Sequence, residues 1–236
     1  MKPRVVERAP FRLETREVWR LLGYPPSRGR PTPLVLARIE EMIEESRALI
    51  EPRACYTVTS LHEVPAEGPF RGAEQIAFSV STIGGRLEGR VAELARRGET
   101  LRALVLDAIG SATVESVTDG INAEICRDVG QAGVFTNRRI SPGYRGWPIS
   151  GQAEIFALLP SRLSGVRLTP TLFMEPRKSI SAAVSIGRRV AHSKYVSICG
   201  FCDRRDCAYR RDSRSGSGEA PHASGSESIA ERTPFR

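Results

Sequence analysis

The sequence predicts an α+β fold in which a mainly antiparallel, twisted sheet packs against helices. The predicted elements follow one another in the order α, β, β, α, α, α, β, β, which is not the regular alternation of a parallel sheet. Residues 76–82 (IAFSVST) alternate apolar and polar side chains, as a strand with one polar face does. Residues 101–129 begin with LRALVLDAIGSATVESV, and these apolar and small side chains predict a long helix that is buried on most sides.

The first hundred residues contain three further helical segments and one further strand. Residues 18–22 predict a short helical turn, and residues 33–50 place apolar side chains at helical spacing opposite a stripe of glutamates. Residues 55–61 (CYTVTSL) are β-branched and aromatic, which favours a strand. Residues 87–97 predict another helix.

The second half of the chain begins with a loop. Residues 138–147 (RRISPGYRGW) have loop composition, and residues 150–159 predict a helix that Ser150 caps. Short strand pieces are expected between residues 166 and 174. Residues 179–186 (SISAAVSI) predict the last strand.

Two segments follow the last predicted strand. One holds three cysteines within residues 199–207, and the other, residues 212–236, is rich in serine and glycine with little that can be buried. We therefore expect one domain over residues 1–211 and a disordered tail over residues 212–236.

Composition excludes several classes of protein. The chain has 236 residues and a formal net charge of +8, from 35 Lys and Arg against 27 Asp and Glu. It shows no apolar span, no leader peptide and no repeat, so we expect a cytoplasmic protein that does not enter a membrane. The arginines stand beside acids and not in a nucleic-acid-binding motif, so we expect no nucleic acid partner. A basic surface that is simply solvated, or one that docks an acidic protein, explains the charge.

The strongest local motif is Cys199-x-x-Cys202-x-x-x-x-Cys207. Three thiolates at this spacing can converge on zinc or on an iron–sulfur cluster. The alternatives are reduced cysteines without a metal and a redox-labile pair. A fourth ligand would come from His192, Asp203, Asp206, Cys55 or Cys126, or a substrate would occupy the fourth position.

A second motif is the run from Arg139 to Tyr144 (RISPGY). An arginine can bind a carboxylate in bidentate fashion, Gly143 permits a close approach of the backbone, and Tyr144 can stack on a flat ring. These properties suit an anionic ligand that carries an aromatic ring. A surface turn without a ligand is the alternative.

Glu115 is the third candidate, because it lies inside the predicted buried helix. A carboxylate there needs a partner, which would be a cationic ligand, an arginine or lysine, or solvent at an exposed edge. The sequence shows no catalytic triad, no dinucleotide-binding glycine motif and no P-loop.

Four segments together resemble the activation, or reactivation, domain of vitamin B12-dependent methionine synthase. They are residues 79–116, 138–148 (RRISPGYRGWP), 168–187 and 199–211, and with the short LLGY motif near residue 21 the resemblance spans about residues 10–211. The cysteine segment is similar to stand-alone relatives of that domain. The resemblance implies the same fold.

The resemblance also implies a binding site for S-adenosylmethionine. Arg139 matches the arginine that contacts this ligand, and Ser141, Gly143 and Tyr144 match the rest of its loop, with Tyr144 shielding the methyl-transfer face as the catalytic residue. Glu115 matches an acidic residue on the long helix. Where the family has an adjacent Tyr-Phe pair on a strand, this chain has Val184 and Ser185.

In function, the resemblance implies reductive methylation of cobalamin that a partner protein carries. The chain lacks the cobalamin-binding motif, so a corrinoid methyltransferase such as methionine synthase would supply cobalamin in trans, and a flavodoxin-type donor would supply an electron. The chain would then be a component of a methyltransferase in methionine biosynthesis and not active alone. Two alternatives stand beside this hypothesis: an iron–sulfur electron-transfer activator of corrinoid proteins, and a zinc-stabilised interaction module that binds no S-adenosylmethionine.

Overall fold

The structure, a computed structural model, describes residues 2–25, 29–60, 70, 72–130, 134–137, 139–144, 146–159 and 161–190. The helices in these ranges are α1 (Thr15–Leu21), α2 (Pro33–Ser46), α3 (Arg86–Arg96), α4 (Thr100–Val129), α5 (Gly151–Leu158) and α6 (Ser161–Ser164). The strands are β1 (Arg4–Val6), β2 (Arg53–Ser60), β3 (Gln75–Thr82), β4 (Phe135–Thr136), β5 (Arg167–Leu168), β6 (Met174–Glu175) and β7 (Ser179–Gly187).

Five of these strands form one antiparallel sheet in the order β1-β2-β3-β7-β4. Strands β5 and β6 form a separate antiparallel pair. The α+β prediction with a mainly antiparallel sheet is confirmed. The two edge strands were not predicted, because three residues of β1 and two residues of β4 are too short to show an alternating pattern.

Alternation along the central strands creates a hydrophobic core on each side of the sheet. Tyr56 and Ala77 face α4 and belong to the larger core, which α1, α2, α3 and α4 cover. Cys55 and Phe78 point to the opposite side, where α5 and the residues before it form the second core. The predicted polar face of β3 is therefore buried as well, since helices cover both sides.

Helix α4 lies at the centre of the larger core, and the prediction of a long, mostly buried helix is confirmed. Its small residues let neighbours approach closely. A Cβ atom at Gly110 would lie 2.7 Å from Leu87 Cδ2 of α3, and one at Gly120 would lie 2.7 Å from the carbonyl oxygen of Pro10. At Gly120 the neighbour is backbone, so a larger residue there would displace the chain, whereas at Gly110 the side chain of Leu87 would have to shift.

Ion pairs join α2, α3 and α4 at one end of the helical layer. Glu45 of α2 accepts a hydrogen bond from Arg90 Nε of α3 at 2.5 Å and lies 3.1 Å from Arg102 Nη2 of α4. Several of the arginines behind the net positive charge are thus neutralised within the fold.

Two predictions lie outside the described residues. They are the disordered tail over residues 212–236 and the end of the domain at residue 211, and both stay predictions. Among the residues that the structure does describe, no helix has both the length and the apolar character needed to cross a membrane.

Candidate functional site

An irregularity in the edge strand β4 brings Arg139 to helix α4. Phe135 and Thr136 pair with β7 in regular register, and pairing resumes where Ile140 exchanges two hydrogen bonds with Ala183. Three residues separate Thr136 from Ile140, whereas two residues separate their partners on β7, so the edge strand contains a β-bulge. A bulge of this kind changes the direction of the side chains that follow it.

Arg139 is bound by two carboxylates of α4. Its Nε donates a hydrogen bond to Asp119 Oδ1 at 3.0 Å, and its Nη2 donates to Glu115 Oε2. The arginine side chain is 14% exposed, against 37% for Glu115. Burial acts to lower the pKa of Arg139, but attraction to Glu115 and Asp119 outweighs it and holds the pKa above its usual value. The guanidinium therefore stays charged.

The predicted residues Arg139 and Glu115 are thus brought together, and Glu115 has the arginine partner that one alternative required. Asp119 was missed in the sequence. The signal that could have revealed it is spacing, because Asp119 follows Glu115 by one helical turn and the two side chains share a face of α4.

The loop after Arg139 forms a tight turn. Tyr144 N donates to the carbonyl oxygen of Ser141 at 3.2 Å, and Gly143 N donates to the carbonyl oxygen of Trp147 at 2.9 Å. Gly143 has φ of +91°, a conformation that disfavours a side chain. Tyr144 is 44% exposed. The loop prediction is confirmed, and the ligand-binding roles of Ser141, Gly143 and Tyr144 stay predictions.

Trp147 anchors this loop in the second core. Its ring meets Phe70 edge-to-face at 5.1 Å between centroids, and only 3% of the residue is exposed. A Cβ atom at Gly151 would lie 2.1 Å from Trp147 Nε1, so glycine is required at the start of α5. Trp147 is therefore a packing residue of the second core.

A cavity of about 250 Å³ adjoins Glu115, between α1, α4 and the segment leading into β7. Its lining residues are Arg20, Leu21, Ser111, Ala112, Val114, Glu115, Arg177, Lys178 and Ile180. Lys178 Nζ lies 2.7 Å from Asp107 Oδ1 and donates to Ser111 Oγ at 2.8 Å. The walls therefore carry both positive and negative groups.

A larger groove of about 600 Å³ lies between α3 and the β5–β6 pair, with Glu88, Arg167 and Arg177 among its lining residues. It is a wide, open depression. Arg167 is bound to Glu175, and Glu88 accepts a hydrogen bond from the backbone N–H of Arg177. None of the predicted site residues that the structure describes lines it.

Val184 and Ser185 lie inside the sheet and not at the cavity. Each is 1% exposed, with Val184 in the core beneath α4 and Ser185 pointing to the opposite side. The contribution of β7 to the cavity comes instead from Ile180 near the start of the strand, next to Lys178.

The predicted metal ligands Cys199, Cys202 and Cys207 lie outside the described residues, so this site stays a prediction. In the part of the chain that the structure describes, no three His, Cys, Asp or Glu side chains are grouped to hold a metal ion. Cys55, one candidate fourth ligand, is fully buried, and burial raises the pKa of its thiol to about 11.

Comparison with known proteins gives a fold but no sequence relative. No protein-family model matches the chain, and no curated protein matches it. Among solved structures, a crystal structure of the MetH reactivation domain bound to AdoHcy matches with a TM-score of 0.58 and 15% sequence identity. The match covers 83% of this chain and 81% of that domain. The chain therefore has the fold of the MetH reactivation domain, the methionine synthase domain that its sequence resembles.

Proposed function

We propose that this protein binds S-adenosylmethionine beside Arg139 and supports the reductive methylation of cobalamin on a corrinoid methyltransferase partner. One observation carries the proposal. Arg139 is bound by Asp119 and by Glu115, and Glu115 lines a cavity, in a fold that also occurs in a domain solved with AdoHcy, the product of methyl donation.

The cavity suits the amino-acid end of this ligand. Its volume of about 250 Å³ is near the lower limit of ligand sites, so it accommodates part of a nucleoside ligand, with the remainder lying along the open loop. The α-amino group is a cation and the α-carboxylate an anion. Glu115 offers a carboxylate to the first, and Arg139 offers a guanidinium to the second.

Tyr144 is the residue that we assign to the methyl-transfer face. Tyr144 lies in the turn that contains Gly143, five residues after Arg139, and nearly half of the residue is exposed. An exposed tyrosine can stack on the adenine ring or lie between ligand and partner. Ser141 and Gly143 contribute backbone groups to the same turn.

The chemistry requires a partner, and cobalamin bound there would accept the methyl group together with one electron from a flavodoxin-type donor. S-adenosylmethionine leaves as S-adenosylhomocysteine (AdoHcy). The role of this chain is to bind and orient the methyl donor, through Arg139 and Glu115, so that the transferred group faces the partner.

Calorimetric titration of S-adenosylmethionine and AdoHcy into the full chain tests the proposal. We expect saturable binding near one ligand per chain, and we expect Arg139→Ala to lower affinity by about 10- to 100-fold, as loss of a charge-assisted hydrogen bond does. Arg4→Ala is the matched control, since Arg4 is also bound by two carboxylates of α4. No binding at millimolar ligand, or equal affinity in Arg139→Ala, would contradict the proposal.

A further inference from the structure

The two carboxylates that bind Arg139 occupy one edge of its guanidinium group. The single N–H bond of Nε and one N–H bond of Nη2 lie along the same side of the planar fork. Nε donates to Asp119 and Nη2 donates to Glu115, so this side is fully used. The other side consists of Nη1 and the second hydrogen of Nη2.

That second edge is available to a ligand. No described residue accepts a hydrogen bond from Nη1. Nη1 also does not belong to the buried polar atoms without a partner, so solvent reaches it. Two parallel N–H donors at an accessible edge match the two oxygens of a carboxylate.

Glu115 and Asp119 differ in their relation to the cavity. Glu115 lines it, so a ligand there meets Glu115 directly, whereas Asp119 is not among the lining residues. Asp119 holds Nε, the nitrogen nearest to the backbone, and fixing that atom fixes the rotation of the whole fork.

We infer that Asp119 is a positioning residue that aims the free edge of Arg139 at the α-carboxylate of the bound ligand, an inference that rests on the proposed function. Arg139 needs a positioning residue because of where its backbone lies. Arg139 lies in a β-bulge, where the ladder to β7 is interrupted, whereas Asp119 lies on the long central helix. The contact with Asp119 therefore couples a long, rotatable side chain to the most buried element of the fold.

Two ligands separate positioning from general stability. AdoHcy carries the α-carboxylate, whereas 5′-methylthioadenosine keeps the nucleoside and the thioether but lacks the amino-acid group. We expect Asp119→Asn to weaken AdoHcy binding about tenfold and to leave 5′-methylthioadenosine binding unchanged. In an Arg139→Ala background, Asp119→Asn should have no further effect on AdoHcy.

Asp128→Asn provides the matched control. Asp128 is an aspartate of the same helix, follows another acid by one turn and binds an arginine, Arg4. We expect it to leave the affinity for both ligands unchanged. The inference is overturned if Asp119→Asn binds AdoHcy as the unmodified chain does, or if it weakens both ligands equally. If the unmodified chain binds 5′-methylthioadenosine but not AdoHcy, the carboxylate contact is absent and the inference fails; if it binds neither, nor S-adenosylmethionine, the proposed function fails first.

Discussion

Helix α4 binds one arginine at each edge of the sheet, and the two sites differ in which N–H donors of the guanidinium group the carboxylates occupy. At one edge, Arg4 of β1 lies between Glu124 and Asp128. At the other edge, Arg139 lies between Glu115 and Asp119. In both pairs the acids are four residues apart, so the same helical spacing creates both sites.

The Arg4 site is complete within the protein. Arg4 uses Nη1 and Nη2, the end of its fork, and its guanidinium carbon lies 5.8 Å from the centroid of the Tyr56 ring. The hydroxyl of Tyr56 donates to Asp128 as well. Arg139 uses the side of its fork and keeps the end. An arginine with two carboxylates is thus a structural contact at one site and a candidate binding group at the other. The difference is which edge of the guanidinium group the carboxylates occupy.

The largest expected effect concerns the loop from Arg139 to Tyr144. Gly151→Ala would place a Cβ atom 2.1 Å from Trp147 Nε1, so the tryptophan must move. Overpacking of this kind costs about 1–3 kcal/mol of the free energy of unfolding. We expect urea denaturation to show that loss, and calorimetry to show weaker AdoHcy binding, because the loop from Arg139 to Tyr144 loses its anchor.

Gly89→Ala is the control for this prediction. Gly89 lies in α3 with nothing within 4 Å of its Cβ position, so alanine there should stabilise the helix by up to about 1 kcal/mol. If Gly151→Ala behaved like Gly89→Ala, Trp147 would not be a fixed anchor, and the loop would not depend on it.

A smaller effect is expected at the Arg4 site. Tyr56 is 1% exposed, and Tyr56→Phe removes the hydroxyl that donates to Asp128. Loss of a hydrogen bond to a charged group lowers the free energy of unfolding by about 1–2 kcal/mol. AdoHcy affinity should stay unchanged. A change in affinity would show that the two arginine sites are coupled through α4, which would remove the distinction between them.

The comparison also shows which parts of the molecule sequence patterns can predict. The long helix and the three central strands follow from periodicity and composition, and the loop after Arg139 follows from its short motif. The edge strands, the bulge and Asp119 do not. A bulge is a difference in register between two strands, so the sequence of one strand does not reveal it. The contact of Asp119 with Arg139 depends on that bulge, because the bulge precedes the point where Arg139 meets the helix. The cavity is equally hidden, since Arg20, Ser111 and Lys178 are far apart in the chain.

The smallest expected effect is a dependence of stability on pH at the Arg4 site. The hydrogen bond from Tyr56, with support from Arg4, lowers the pKa of Asp128 below its usual 3.8 against the opposing effect of burial. A lowered pKa in the folded state means that the stabilisation is present above about pH 4 and is lost as the pH falls through the folded value. Burial, followed by the contact with Asp128, raises the pKa of Tyr56 above its usual 10.0, so that contribution persists until the pH rises beyond about 10.

Asp128→Asn tests this window directly. Because an amide does not titrate, the variant should lose less stability than the unmodified chain between about pH 4 and pH 2, when the free energy of unfolding is measured by urea denaturation at each pH. Asp128 is about one-third exposed, so the difference should be smaller than the effect of Tyr56→Phe. Parallel acid profiles for the two proteins would mean that Asp128 keeps an ordinary pKa in the folded chain. The Arg4 site would then be held mainly by the Tyr56 ring and by Glu124, and the contrast with Arg139 would lie in packing and not in charge.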